Sequence, residues 1–198
     1  MTDDGSDRIR RLDARSMYAL AHPLRVEILA LLRSVGQATT TQLADRLGQR
    51  PGTVAWHVKQ LLKHRFVEDL PQRGANNERW FRTTQHRIEV HPADFGGAPG
   101  ARDALRAYAG GLFATATRRV SRWLNGEWGA EWSDAVTVSD WALELTPEQL
   151  GALVREIGDV LARHADTVAD RPEPGARRVV VQLQAFPDAP EQAPAESR

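Results

Sequence analysis

The feature that most constrains this chain is a run of three short apolar periodicities packed into residues 23–64, each bounded by a helix start or stop signal. In Leu24–Val35 the apolar residues Leu24, Ile28, Leu31, Leu32 and Val35 recur at three-to-four spacing, while Arg25, Glu27 and Arg33 fall elsewhere. That spacing predicts an amphipathic helix, with Pro23 suited to its first turn and Gly36 to its C-terminal stop. Thr39, Thr40 and Thr41 then offer N-caps to a helix over Gln42–Leu47 that presents Leu43, Ala44 and Leu47 and ends on Gly48. Pro51 opens a further helix to His64, with Val54, His57, Val58, Leu61 and Leu62 inward and Trp56, Lys59, Gln60 and Lys63 outward. Ahead of these, Ser16 caps a short helix carrying Met17, Leu20 and Ala21, which ends at His22-Pro23 because proline disfavours helix in the residue before it. After them, 66–70 and 78–82 read as two strands joined by the turn-rich segment 71–77.

Helix, helix, tight turn, helix and β-hairpin form the order of a winged helix-turn-helix. Such a unit packs two helices on a small shared core, so that the outer side chains of the second can enter a major groove. Trp56, Lys59, Gln60 and Lys63 are therefore candidates for base or phosphate contact. Thr40, Thr41, Arg50 and Thr53 are candidates for phosphate contact through hydroxyls, guanidinium and helix N-termini, although capping alone also accounts for the threonines. At the hairpin, Arg73, Asn76, Asn77 and Arg79 are candidates for wing contacts with backbone or minor groove; the competing reading is a solvated hairpin.

Beyond the hairpin the composition turns to Gly, Ala and Pro over Phe95–Gly100, which predicts a linker. A long helix is expected over Ala101–Leu124, with Leu105, Tyr108, Leu112, Phe113, Ala116, Val120 and Trp123 on one face, and it is the natural element to pair two subunits. Val136–Leu145 alternates partly and reads as a strand, a helix starts at Thr146-Pro147-Glu148 with Leu150, Leu153, Val154, Ile157, Val160 and Leu161 on one face, and Val179–Leu183 reads as a second strand. The expected class is α+β, with an N-terminal winged helix-turn-helix, a long dimerisation helix and a C-terminal β-α-β element. The expected divisions are a mobile lead-in at 1–15, a DNA-binding domain at 16–94, linker and long helix at 95–124, a dimerisation or sensing domain at 125–186 and a disordered tail at 187–198.

Composition narrows the class further. A hydrophobic share of 41% with 26% charged residues suits a soluble globular protein, and no apolar run is long enough to span a bilayer. No secretory leader opens the chain, so a cytoplasmic location is expected. The 26 basic and 26 acidic residues cancel, but residues 1–90 hold 15 basic and 10 acidic side chains and the remainder 11 and 16, so the half with the hairpin is the one suited to phosphate. There is no cysteine, hence no disulfide framework and no thiolate metal site.

The segments Leu20–Leu32, Thr41–Gly48 and Thr53–Leu61 resemble the ArsR-like winged helix-turn-helix regulators of bacteria over roughly the first 85 residues. The resemblance implies a homodimer on an operator, often a repressor released by a signal. Two departures stand out. Such proteins place glycine between the reading helix and the first wing strand, where this chain has Lys63-His64-Arg65-Phe66, so a left-handed residue there would be held by a non-glycine. Metal-sensing members use cysteines, or His and acidic ligands on the dimerisation helix; this chain has no Cys and Ala101–Leu124 has no His, so no metal and no cofactor is expected.

His57 reads as a core residue, and His22, His64, His86, His91 and His164 have no ligand spacing. Trp123, Trp128, Trp132 and Trp141 could line an apolar pocket for a small-molecule effector, against core or dimer packing as the alternative. Asp134, Asp140 and Glu144 belong to no catalytic arrangement, and no phosphate-binding loop or nucleophile set is present, so an enzyme is not expected. The leading expectation is a dimeric repressor whose partners are double-stranded DNA on a palindromic site, a second copy and an effector, with no membrane. The alternatives are a winged-helix protein-interaction module and a small-molecule-responsive regulator dominated by its Trp-rich C-terminal half.

Overall fold

The computed structural model describes residues 9–71, 78–85, 87–95, 97–170 and 173–188. The chain divides into two units with the boundary after Glu127. In the first unit, helix α1 spans Ala14–Leu20, α2 Pro23–Val35, α3 Thr40–Leu47, α4 Pro51–Lys63 and α5 Ala101–Leu124. Strands β2 (Gln37–Thr39), β4 (Trp80–Thr83) and β3 (Val67–Leu70) form an antiparallel sheet in that spatial order, with Ala38 opposite Phe81 and Asp69 opposite Phe81 on the other side. Mixed helix and sheet in this order is a winged helix-turn-helix fold. Its core joins Met17, Leu20, Ile28, Leu32, Leu43, Val54, Leu61 and Phe66, all buried.

The helix starts follow local capping chemistry. Asp13, not Ser16, caps α1, accepting the Ser16 N–H at 2.8 Å; Ser16 lies inside the helix, because a carboxylate three residues earlier meets the same orphan donor. The His22 imidazole Nδ1 accepts from the Leu24 N–H at 3.2 Å to open α2. Thr39 and Gln42 form a capping box at α3, and Gly48 closes it in the left-handed region at φ 62°.

Several expectations need correction. Residues 9–15 are not a loose lead-in: β1 (Ile9–Arg11) pairs in parallel with β5 (Arg87–Glu89), and Leu12 is buried in the core. Residues 1–8 lie outside the described residues. Phe95–Gly100 is not a linker, since Phe95 is buried at the end of a 3-10 turn (Pro92–Phe95), Ala98 packs on the core and the Tyr18 hydroxyl donates to the Pro99 carbonyl. The long helix α5 is part of the first unit. It buries Ala101, Ala104, Tyr108, Gly111 and Thr115, and leaves Phe113, Val120 and Leu124 exposed. At Gly111 the helix lies close against α2: a Cβ there would sit 3.1 Å from Val26 Cγ2, while Tyr108, Leu105 and Leu112 join the core beside it.

The second unit contains α6 (Ala130–Ala135) and α7 (Pro147–Asp170), the latter opened by a Thr146–Gln149 capping box. Leu150, Leu153, Val154, Ile157 and Leu161 of α7 are half-buried, while Val160 is exposed. The expected β-α-β element is present only as its helix. Among the described residues neither 136–145 nor 179–183 pairs with another strand, and an alternating sequence becomes a strand only where a partner satisfies its backbone groups. Of the expected tail, residues 189–198 lie outside the described residues.

Candidate nucleic-acid interface

The α3–turn–α4 unit is held by its own core. Leu43 and Ala44 of α3 face Val54, Val58 and Leu61 of α4, all buried. The turn between them is short because Gly48 reverses the chain and the Gln49 N–H reaches back 2.9 Å to the Ala44 carbonyl. Pro51 then starts α4 with its ring at the first turn; no side chain caps that N-terminus, and the Thr53 and Val54 N–H groups donate to the Arg50 carbonyl at 3.0 and 3.2 Å.

With the inner face spent on the core, Thr53, Trp56, Lys59 and Lys63 form one exposed stripe and Gln60 is half-buried beside it. Trp56 is 53% exposed, a large indole displayed on the solvent side of a rigid helix. Arg50, Lys59 and Lys63 make no ion pair among the described residues. Thr41 is exposed at the start of α3 and Thr40 half-buried, whereas Thr39 is buried as the cap.

Two side chains flank the indole: Arg25, which sequence reasoning did not single out, and His57, which it read as a core residue. The Arg25 guanidinium of α2 lies 5.7 Å from the Trp56 ring centroid and donates to the Ala19 carbonyl at 2.6 Å. The His57 ring meets the Trp56 ring edge-on at 4.8 Å, and His22 backs His57 at 4.3 Å. Burial lowers the His57 pKa to about 4, with His22 and Arg25 adding to the effect, so the ring is neutral at physiological pH. His64, at the end of α4, is also held below its ordinary value, first by burial and then by Lys63, Arg15, Arg25 and Arg10. That cluster makes the C-terminal end of the reading helix electropositive. An Arg facing a Trp from another helix carries no periodic signal, which is why these contacts were not legible earlier.

The exit from α4 has the left-handed residue anticipated at this departure from glycine: Arg65 has φ 56°. Three side chains converge on its carbonyl, with Thr84 Oγ1 and Gln85 Nε2 at 2.7 Å and Arg10 Nη1 at 3.1 Å. Arg10 Nη1 also donates to the His64 carbonyl at 2.7 Å, and its guanidinium sits 4.0 Å from the Phe66 ring centroid. The wing strands leave from this fixed point. On the wing, Arg79 pairs with Asp69 and Arg82 with Glu68 across the hairpin, both exposed, so Arg79 is not a free cation in this state. Such exposed pairs are worth about 0–1 kcal/mol and yield readily to a phosphate. Arg73, Asn76 and Asn77 lie outside the described residues.

The tryptophans of the expected effector pocket are placed differently from one another. Trp128 and Trp132 both face the Arg177 guanidinium, at 6.0 and 5.7 Å from their centroids, whereas Trp141 is 80% exposed. Trp123 is half-buried near the end of α5, in the other unit. No group of three or more His, Asp or Glu among the described residues is disposed to hold a metal ion, and none of their helices is long and apolar enough to cross a membrane.

The matched family model names the class that the geometry defines. It is described as a helix-turn-helix domain and aligns with residues 20–69, from the end of α1 through α4 to β3. The domain, with its displayed cations, supports a DNA-binding transcriptional regulator. Among solved structures, the chain is similar to wild-type MarR, apo form, from E. coli, at 13% identity over 74% of this chain and 89% of that one, with a TM-score of 0.30. That superposition is too loose to add to the assignment. No curated protein matches the chain.

Proposed function

We propose that the protein is a dimeric, sequence-specific transcription repressor of the ArsR-like kind, acting in the cytoplasm on a roughly palindromic operator and not as an enzyme. The observation that carries this reading is the α4 stripe of Thr53, Trp56, Lys59 and Lys63: exposed, without acidic partners among the described residues, and fixed by a buried inner face. Trp56, Lys59 and Gln60 read bases in the major groove. Thr40, Thr41, Arg50 and Lys63 hold phosphates, and Arg73, Asn76, Asn77 and Arg79 extend the contact along the wing. The exposed Phe113, Val120 and Leu124 of α5 recur at helical spacing and supply an apolar seam for a second subunit. Two reading helices then meet successive major grooves about 34–36 Å apart.

The test is a titration of the full chain against duplexes selected from genomic fragments and against random duplexes, at several salt concentrations. Selective binding by a factor of about 10³ or more is expected, in the range of specific over non-specific recognition. Equal affinity for all duplexes would sink the sequence-specific claim. No retardation at all would leave the winged helix as a protein-interaction module.

A further inference from the structure

We propose that the unit Trp128–Arg198 is a self-association module, in which the extended segments 136–145 and 179–186 pair as β-strands with the same segments of a second copy. The observation is an amount of exposed apolar surface that one copy does not cover. In this unit no apolar side chain among the described residues is buried, although Val138, Trp141, Leu143, Val181, Leu183 and Phe186 are each 45% to 80% exposed. Ten large apolar side chains of the two segments are exposed in all. With Trp and Phe presenting about 150–250 Å² each when open, and aliphatics somewhat less, their uncovered area is on the order of 1,000 Å². The largest apolar patch on an ordinary monomer is about 300–600 Å², and a stable interface needs about 800 Å² from each partner. The two segments thus carry one side of a standard interface.

The backbone identifies the kind of partner. Both segments run without helix, turn or bend, and among the described residues neither enters a hydrogen-bonded ladder with the other or with any further part of the chain. Their N–H and C=O groups are satisfied in a dry interface only by another extended segment. Val179, Val181, Leu183 and Ala185 alternate with Val180, Gln182 and Gln184, the period-2 pattern of a strand with one covered face. Nucleic acid is excluded as the occupant by charge, since residues 128–198 hold 6 basic and 13 acidic side chains. A second copy of this chain brings the matching apolar area and the matching unpaired edges together, in the symmetric manner of most homo-oligomers.

The inference deepens the dimeric reading by naming the segments, and its test contains no DNA, so it stands or falls separately from duplex selection. Hydrogen–deuterium exchange is followed on the full-length protein across a dilution series spanning the dimer-to-monomer transition seen by light scattering. The amides of 136–145 and 179–186 are expected to be protected at high concentration and to lose that protection, by at least tenfold in rate, on dilution. Protection that does not change on dilution would mean that the strands pair within one copy, and absence of protection at every concentration would mean that they do not pair; either overturns the proposal. In a Val181→Asp/Leu183→Asp variant, 136–145 is expected to exchange freely at high concentration while α4 keeps its protection. Unchanged protection of 136–145 there would also overturn it.

Discussion

Replacing Arg10 by alanine tests whether the joint between reading helix and wing is built as described. Arg10 is a strand residue 54 positions before the carbonyl it reaches, yet its guanidinium donates to the His64 and Arg65 carbonyls and to Ser16 Oγ, and covers the Phe66 ring. A hydrogen bond from a charged donor contributes about 1.5–3 kcal/mol. The bond to His64 carries that weight, because among the described residues no other side chain donates to that carbonyl, whereas Arg65 keeps Thr84 and Gln85. A partly exposed cation–π contact adds about 0.5–1 kcal/mol. Arg10→Ala is therefore expected to destabilise the first unit by about 3 kcal/mol in urea unfolding followed by tryptophan fluorescence, and to weaken duplex binding although Arg10 touches no duplex. Arg11→Ala, which removes only the exposed pair with Asp94, serves as the control and should unfold like wild type. A midpoint for Arg10→Ala that coincides with the control would refute the reasoning.

Three further outcomes follow from the same contacts. Arg65→Gly relieves a left-handed non-glycine, a strain of roughly 1–2 kcal/mol, against a backbone entropy cost of about 0.5–1 kcal/mol, so a net gain of up to about 1.5 kcal/mol is expected in the same unfolding assay. Gly111→Leu drives a side chain into Val26 and should destabilise the α2–α5 packing by about 1–3 kcal/mol or more, read as an earlier thermal midpoint. His57 is neutral in the fold, with a pKa of about 4 against an ordinary 6.5, so protons bind the unfolded chain first as pH falls. Its contribution is present above pH 6.5 and lost progressively toward pH 4, as much as about 3 kcal/mol, and a His57→Leu variant should flatten that part of a urea-against-pH series.

The reading helix was legible because its two faces are separated by spacing alone: Val54, Val58 and Leu61 recur inward, and Trp56, Lys59 and Lys63 outward, with Gly36, Gly48 and Pro51 punctuating the chain. What the sequence hid was long-range. β1 and its partner β5 are three-residue strands separated by about the length of the domain, too short for any periodicity. On α5 the expected inner face is split: Tyr108, Leu105 and Leu112 do pack on the core, whereas Phe113 and Val120 are exposed, and the close approach to α2 falls at Gly111, which apolar spacing does not mark. Val136–Leu145 and Val179–Leu183 carry strand-like alternation, yet neither has a strand partner among the described residues, because alternation marks one apolar face and does not specify a ladder. Arg10 and Arg25 were overlooked for the same reason, since a charged side chain gives no sign in sequence of the carbonyl or ring it will meet.

The central claim is that α4 reads bases, and its most direct measurement is the affinity of a Trp56→Ala/Lys59→Ala variant for a selected duplex and for random duplexes, over a salt series. The account predicts that affinity for the selected duplex falls by about 2–4 kcal/mol while random-duplex affinity changes by no more than the loss of one phosphate contact, so that discrimination collapses. Arg79→Ala should instead weaken both alike and reduce the salt slope by about one. A Trp56→Ala/Lys59→Ala variant that remains folded and discriminates as well as wild type would contradict the account.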